Sequence, residues 1–168
     1  IIGRPNVGKS TLVNALVGTK IVITSHHPNT TRNPIRGIIN REKYQMIVVD
    51  TPGMHKPKTA LGTRLNSMVN ENMQSNDAVL LCLPADEEIG AGDEYIAKQI
   101  KGNQKVFLVV TKVDKISKSD LAIRLEQMKE FIKDGKILET DHAKEYLRNF
   151  YKYIKTLTID KLKKENFD

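Results

Sequence analysis

Cysteine is almost missing from this chain: its 168 residues include one, Cys82. A single thiol excludes an internal disulfide framework and suits a reducing compartment. Long apolar runs are missing as well. The longest, Ala78 to Leu83, is six residues, whereas a membrane-spanning helix needs about 20. A secretory leader is not visible either, so the expected location is the cytoplasm. The chain opens on Ile1 rather than Met, and the native N-terminus is expected upstream. Paired Cys/His spacing of the kind that holds a structural metal is absent. So are internal repeats and low-complexity linkers. After Gly135 there is neither Gly nor Pro, which sets the last stretch apart.

What is present suffices for one domain. At 39% hydrophobic, the chain can bury one sizeable core. Its net charge of +7 is spread unevenly. Residues 4–64 carry ten Lys/Arg against two acids, residues 65–114 four against eight, and residues 115–168 thirteen against ten. A basic first half suits a polyanionic ligand. A solvated basic surface of no special purpose has the same composition, and charge alone does not choose between them.

Apolar runs alternate with helical patterns. Ile35 to Asn40 and Tyr44 to Val49 read as strands joined by a polar turn, an antiparallel hairpin at one edge. Ala78 to Leu83 and Lys105 to Val110 are continuous apolar runs, typical of strands buried on both faces. Helical patterns run over Lys9 to Leu16, Ala60 to Met73, Asp93 to Ile100 and Ser119 to Ile132. In the last of these, Leu121, Leu125, Met128 and Ile132 share one stripe. The alternation predicts an α/β fold: a mostly parallel sheet with helices on both faces.

Three short motifs carry chemistry. Gly3 to Ser10, "GRPNVGKS", fits the phosphate-loop pattern. Its glycines let backbone N–H groups turn inward onto a phosphate, and the helix that follows adds its positive end. Lys9 would neutralise outer phosphates and the Ser10 hydroxyl would bind Mg²⁺. "VVDTPG", Val48 to Gly53, puts an acid at a strand end before a glycine turn. Asp50 is placed to hold Mg²⁺ and the Gly53 N–H to reach a terminal phosphate. "TKVD", Thr111 to Asp114, follows another buried strand. A carboxylate there accepts two hydrogen bonds from guanine, while adenine offers the wrong edge. Lys112 can lie over the base with its alkyl stem. Between the first helix and the hairpin, "NTTRNPIRG" offers a threonine hydroxyl to the same Mg²⁺. Thr31 is the preferred ligand and Thr30 the alternative, in a loop ordered by the state of the nucleotide.

"GRPNVGKSTL", "NTTRNPIRG", "DTPGMHKPK" and "TKVD", in that order, resemble the GTPase domain of the Era family of bacterial ribosome-assembly GTPases. "CLPADEEIGAGDEYIAKQ" is similar to its actinobacterial members. The likeness runs from Ile1 to about Phe131 and implies a Ras-like P-loop GTPase domain over residues 1–134, with its first strand truncated. It implies GTP and GDP as ligands, Mg²⁺ as cofactor and slow hydrolysis. The nucleotide is expected on Gly3, Arg4, Pro5, Asn6, Val7, Gly8, Lys9 and Ser10, on Asp50, Thr51, Pro52, Gly53 and Met54, and on Thr111, Lys112, Val113 and Asp114. Mg²⁺ is expected on Ser10, Thr31 and Asp50, and the catalytic parts are Lys9, Thr31 and the Gly53 N–H. The resemblance also implies that the parent protein binds small-subunit ribosomal RNA and the 30S subunit, and it leaves room for peripheral membrane contact, with no transmembrane segment expected.

This sequence departs from that pattern in places. Residues 135–168 read as a divergent, helical tail. They lack the Gly-x-x-Gly clamp of an RNA-binding KH domain, and only Ala143 in "ETDHAK" stands where a last guanine contact belongs. Where Ras-like enzymes place a water-orienting glutamine, this chain has Met54. Hydrolysis then rests on positioning and charge. In related GTPases, an asparagine placed like Asn6 helps hold K⁺. His26, His27 and His55 read as solvated loop residues and Cys82 as core. Tyr146, Phe150, Tyr151 and Tyr153 read as a packing face. Two other readings stand beside the switch: a binding fragment without turnover, and a related GTPase of tRNA modification or large-subunit assembly.

Overall fold

In the computed structural model, residues 1–24, 31–40, 45–100 and 105–133 are described. The expected hairpin is there. β1 (Ile35–Asn40) runs antiparallel to β2 (Gln45–Asp50), from Ile35 opposite Asp50 to Asn40 opposite Gln45. β3 (Val79–Pro84) and β4 (Val106–Thr111) pair in parallel, with Pro84 level with Thr111. Ile1 and Ile2 lie between the two pairs. The Ile1 amino group donates to Val49 O (2.8 Å), the Ile2 N–H to Leu80 O (2.8 Å) and the Cys82 N–H to Ile2 O (2.9 Å). Two residues thus stand where a central strand belongs.

The burial pattern of β3 assigns the helices to faces. Val79, Leu81 and Leu83 alternate onto one side. There they meet Val69 and Met73 of α2 (Ala60–Gln74), Ile96 and Ala97 of α3 (Ala91–Gln99) and Met128 of α4 (Lys118–Lys133). Cys82 points to the other side and packs on Val7 and Val109, with Leu12 of α1 (Lys9–Val17) beside them. Val13 of α1 closes a third cluster over Ile39 and Val48 of the hairpin. Each fully buried aliphatic side chain contributes about 2 kcal/mol. The fold is the expected α/β one, with α1 on one face and α2, α3 and α4 on the other.

Boundaries moved for identifiable reasons. α3 begins at Ala91 rather than Asp93, because Asp93 caps it from inside the first turn. The Gly90 N–H donates to Asp93 Oδ2 (3.1 Å), and the Asp93 N–H returns to Gly90 O (2.9 Å). On α4, Met128 is buried while Leu121 and Leu125 are half-buried, so the stripe is real but shallow. The side chain of Ile132 lies outside the described residues, as do the tail from 134 with Ala143, the aromatic cluster, His26, His27 and Thr30.

This topology sets the site. Ligands of open α/β sheets gather beyond the carboxyl ends of the strands. Gly3 follows Ile2 there, Asp50 ends β2, and Thr111 ends β4. Three motifs far apart in sequence come to one edge.

Candidate functional site

The phosphate loop turns on unusual backbone angles. Gly8 has φ of 93°, which suits a residue without Cβ, and Asn6 has φ of 63°, which asparagine tolerates better than most. Gly8 then starts α1 with no side chain capping it. α2 and α4 are capped by side chains: Thr59 Oγ1 accepts the Gly62 N–H (3.1 Å) before α2, and Ser117 Oγ accepts the Asp120 N–H (3.1 Å) before α4. The first N–H groups of α1 are therefore left to a ligand, and that end carries positive potential.

Lys9 is buried at the same end. Its Nζ donates to Gly3 O (3.1 Å) and Arg4 O (2.8 Å). Burial pushes its ammonium from 10.5 down to about 8, against the smaller opposing pull of Cys82 and Asp50. Burial likewise pushes the Cys82 thiol up to about 11, so it is core, as expected. A phosphate beside Lys9 would favour the charged form again. Above pH 8 nucleotide binding is therefore expected to take up a proton and to weaken as pH rises. Calorimetric titration with GDP at pH 8.5, in two buffers of different ionisation enthalpy, checks this. Equal heats in the two buffers would contradict it.

Ser10, Thr31 and Asp50 converge. Ser10 Oγ donates to Asp50 Oδ2 (2.8 Å), Thr31 Oγ1 donates to the same oxygen (3.1 Å), and the two hydroxyls are 3.4 Å apart. The hairpin register explains the meeting: Ile35 opposite Asp50 leaves Thr31 four residues upstream, within reach. Asp50 is fully buried, and its Oδ1 is enclosed without a hydrogen-bond partner. An orphaned carboxylate oxygen beside two hydroxyls is a hard-oxygen donor set that fits Mg²⁺.

The turn after Asp50 packs straight onto the phosphate loop. A Cβ on Gly53 would lie 2.7 Å from Pro5 N and 2.8 Å from Pro5 Cα. The Thr51 hydroxyl donates to Ile1 O (2.6 Å). Met54 departs from the expectation that it lines the nucleotide. Its side chain is fully buried among Ile2, Val69 and Leu81, and its N–H donates to Gly3 O (3.1 Å). An apolar side chain next to an open core leaves water. His55 is not a solvated loop residue either: it is half-buried, its carbonyl accepts Asn66 Nδ2 (2.8 Å), and its Nδ1 is enclosed.

"TKVD" reaches back to the phosphate loop. Thr111 Oγ1 donates to Val7 O (2.6 Å), a link made by the hydroxyl itself. Lys112 sits at φ of 55°, and its Nζ lies 3.1 Å from Glu87 and 3.5 Å from Asp86. Asp114 stands exposed in a 3-10 turn, Val113–Lys115, and no described side chain engages its carboxylate. Arg4 turns away from the phosphate side: its Nε lies 2.8 Å from Asp93 Oδ1 and its Nη2 3.1 Å from Glu87 Oε2.

Sequence reasoning missed Glu87, Asp93 and Asn14. Asn14 Oδ1 accepts the Ile21 and Val22 N–H groups (both 2.9 Å), and its Nδ2 donates to Val22 O (2.9 Å). It thereby fixes the chain as it leaves α1. None of the three lies in a phosphate or base motif, and only the tertiary fold brings Glu87 and Asp93 to the loops.

The family described as 50S ribosome-binding GTPase matches residues 1–112. The chain belongs to that family. Among its relatives, the GTPase Era of Mycolicibacterium paratuberculosis is 50% identical over 138 residues, 80% of this chain and 46% of its own length. The chain thus spans about half the length of the curated relatives it matches. An Era structure in complex with MgGDPNP and nucleotides 1506–1542 of 16S ribosomal RNA superimposes with a TM-score of 0.74 at 31% identity, covering 90% of this chain and 54% of that one. Aquifex aeolicus Era bound to GDP·AlF4⁻ gives 0.75 at 30%, covering 90% and 55%. Within the ribosome-binding GTPases, the likeness is to Era, as the motifs implied.

Proposed function

We propose that this chain binds GTP and GDP with Mg²⁺ and hydrolyses GTP slowly, as the GTPase part of an Era-like factor in small-subunit assembly. The observation that carries the reading is the meeting of Ser10, Thr31 and the orphaned Asp50 oxygen beside the uncapped start of α1. The GTPase unit would extend through residue 134. The Era structure with 16S ribosomal RNA favours the small subunit as partner over tRNA modification or the large subunit. Among the described residues no helix is long and apolar enough to cross a membrane, and the cytoplasm is the proposed location.

Binding would begin at the phosphates. The N–H groups of residues 8–11 face the outer phosphates, and Lys9 exchanges its two carbonyl partners for phosphate oxygens. Bound Mg²⁺ would supply charge that offsets the phosphates. Asp114 would read the guanine edge. The Thr31 hydroxyl is joined to Asp50 and Ser10, so it belongs to the site that would sense the terminal phosphate. Gly53 would present its N–H to that phosphate. The buried Met54 side chain cannot orient the attacking water, so turnover relies on fixed donors and charge.

Phosphate release tests this reading. GTP with Mg²⁺ should yield phosphate, and Lys9→Ala should abolish it. Because Met54 supplies no polar group and Asn6 is held within the loop, K⁺ near Asn6 is proposed to add the missing charge. Hydrolysis should be faster in KCl than in NaCl at equal ionic strength. Asn6→Ala should erase that difference while GDP still binds. Equal rates in the two salts would remove potassium from the account.

A further inference from the structure

Glu87 pairs with both nucleotide loops at once. Its Oε2 lies 3.1 Å from Arg4 Nη2 in the phosphate loop, and its Oε1 lies 3.1 Å from Lys112 Nζ in the base loop. Each end is braced from behind. Arg4 Nε is 2.8 Å from Asp93 Oδ1, and that carboxylate is 1% exposed at the start of α3. Asp86 Oδ1 lies 3.5 Å from Lys112 Nζ, and its Oδ2 lies 3.2 Å from Lys115 Nζ. Glu87 reaches both loops because it lies in the turn just past β3, whose end is level with that of β4.

Two further facts make this bridge consequential. Lys112 holds a φ of 55°, a backbone conformation that side chains other than glycine adopt at a cost. Something must hold it there, and its ammonium is anchored by Glu87 and Asp86. On the opposite side, the Thr111 hydroxyl already ties the base loop to Val7 O at 2.6 Å. The two loops are thus clasped at two points, one neutral and one ionic.

We propose that Glu87 is a positioning residue: by holding Arg4 and Lys112 together it sets the spacing of base loop and phosphate loop, and with it the affinity for guanine nucleotide. The inference rests on the guanine-nucleotide reading above. Glu87 itself touches neither base nor phosphate, so hydrolysis of bound GTP should not depend on it. Its carboxylate is 42% exposed, and exposed ion pairs are individually weak and screened by salt. The effect should therefore be modest and ionic in character.

Glu87→Gln keeps the shape and removes the charge. Relative to the parent chain it should raise the Kd for GDP and the KM for GTP about fivefold, the size expected of two exposed pairs, and leave kcat within about twofold. The gap in Kd should shrink when NaCl is raised, as a purely steric defect would not. Lys112→Met keeps the alkyl stem and removes the ammonium, so Glu87→Gln added to Lys112→Met should cost less than it does in the parent chain. Two outcomes overturn the proposal: GDP affinity unchanged in Glu87→Gln, or a loss in kcat at constant KM. Failure of the parent chain to bind GDP would instead strike at the functional reading itself, and that control is measured in the same titration.

Discussion

Asp114→Asn is expected to exchange GDP for xanthosine diphosphate. The carboxylate stands at the end of β4 in an exposed turn and engages no described side chain. The loop that carries it is fixed elsewhere, by the Thr111 bond to Val7 and the ion pairs of Lys112. The substitution should therefore leave the fold intact and change only what the base meets. Two carboxylate oxygens match guanine's two donors in a charge-assisted pair. Losing one partner of such a pair costs on the order of 2–5 kcal/mol, roughly thirtyfold or more in affinity. An amide offers an N–H where one acceptor stood, and that N–H suits the C2 keto group of xanthine. Competition binding with both nucleotides measures the exchange. Unchanged GDP affinity would reduce "TKVD" to a turn and remove the guanine assignment.

Gly53→Ala should nearly abolish hydrolysis while sparing much of GDP binding. The cause is steric. The new Cβ would meet the backbone of Pro5 at 2.7–2.8 Å, and backbone cannot swing aside as a flexible side chain can. Either the turn after Asp50 or the phosphate loop must shift. A displacement of about 1 Å in a positioned group can lower turnover about a hundredfold, and overpacking of this kind destabilises by about 1–3 kcal/mol. Measuring kcat for GTP, Kd for GDP and the melting temperature together separates the effects. A variant with parental kcat would show that the close approach of Gly53 to Pro5 does not set the position of the reacting groups.

The phosphate loop, the strand acid and the base loop were legible in the sequence because each is a local pattern at a strand end. Thr31 was legible only by type and position, and the hairpin register then placed it against Asp50. The strands and helices were readable from apolar periodicity to within one or two residues. What escaped was side-chain direction. Met54 follows a glycine turn, and no local pattern tells whether its side chain faces the nucleotide or the core. Arg4 lies inside the phosphate motif, yet its guanidinium leaves for α3. Asp93 reads as an ordinary first-turn acid, and Glu87 as one of three acids in a row. Both pair with Arg4, 83 and 89 positions away in sequence, and Glu87 pairs with Lys112 as well.

The most direct test of the account is a paired titration of GDP and ADP onto this chain in the presence of Mg²⁺. Both nucleotides offer the same phosphates to Lys9, Ser10 and Asp50, so any difference must come from the base loop. The account predicts binding of GDP that is at least thirtyfold tighter than that of ADP, on the order expected for loss of a charge-assisted pair, and weaker GDP binding when Mg²⁺ is chelated. Equal affinity for the two nucleotides, or no binding of GDP, would contradict it.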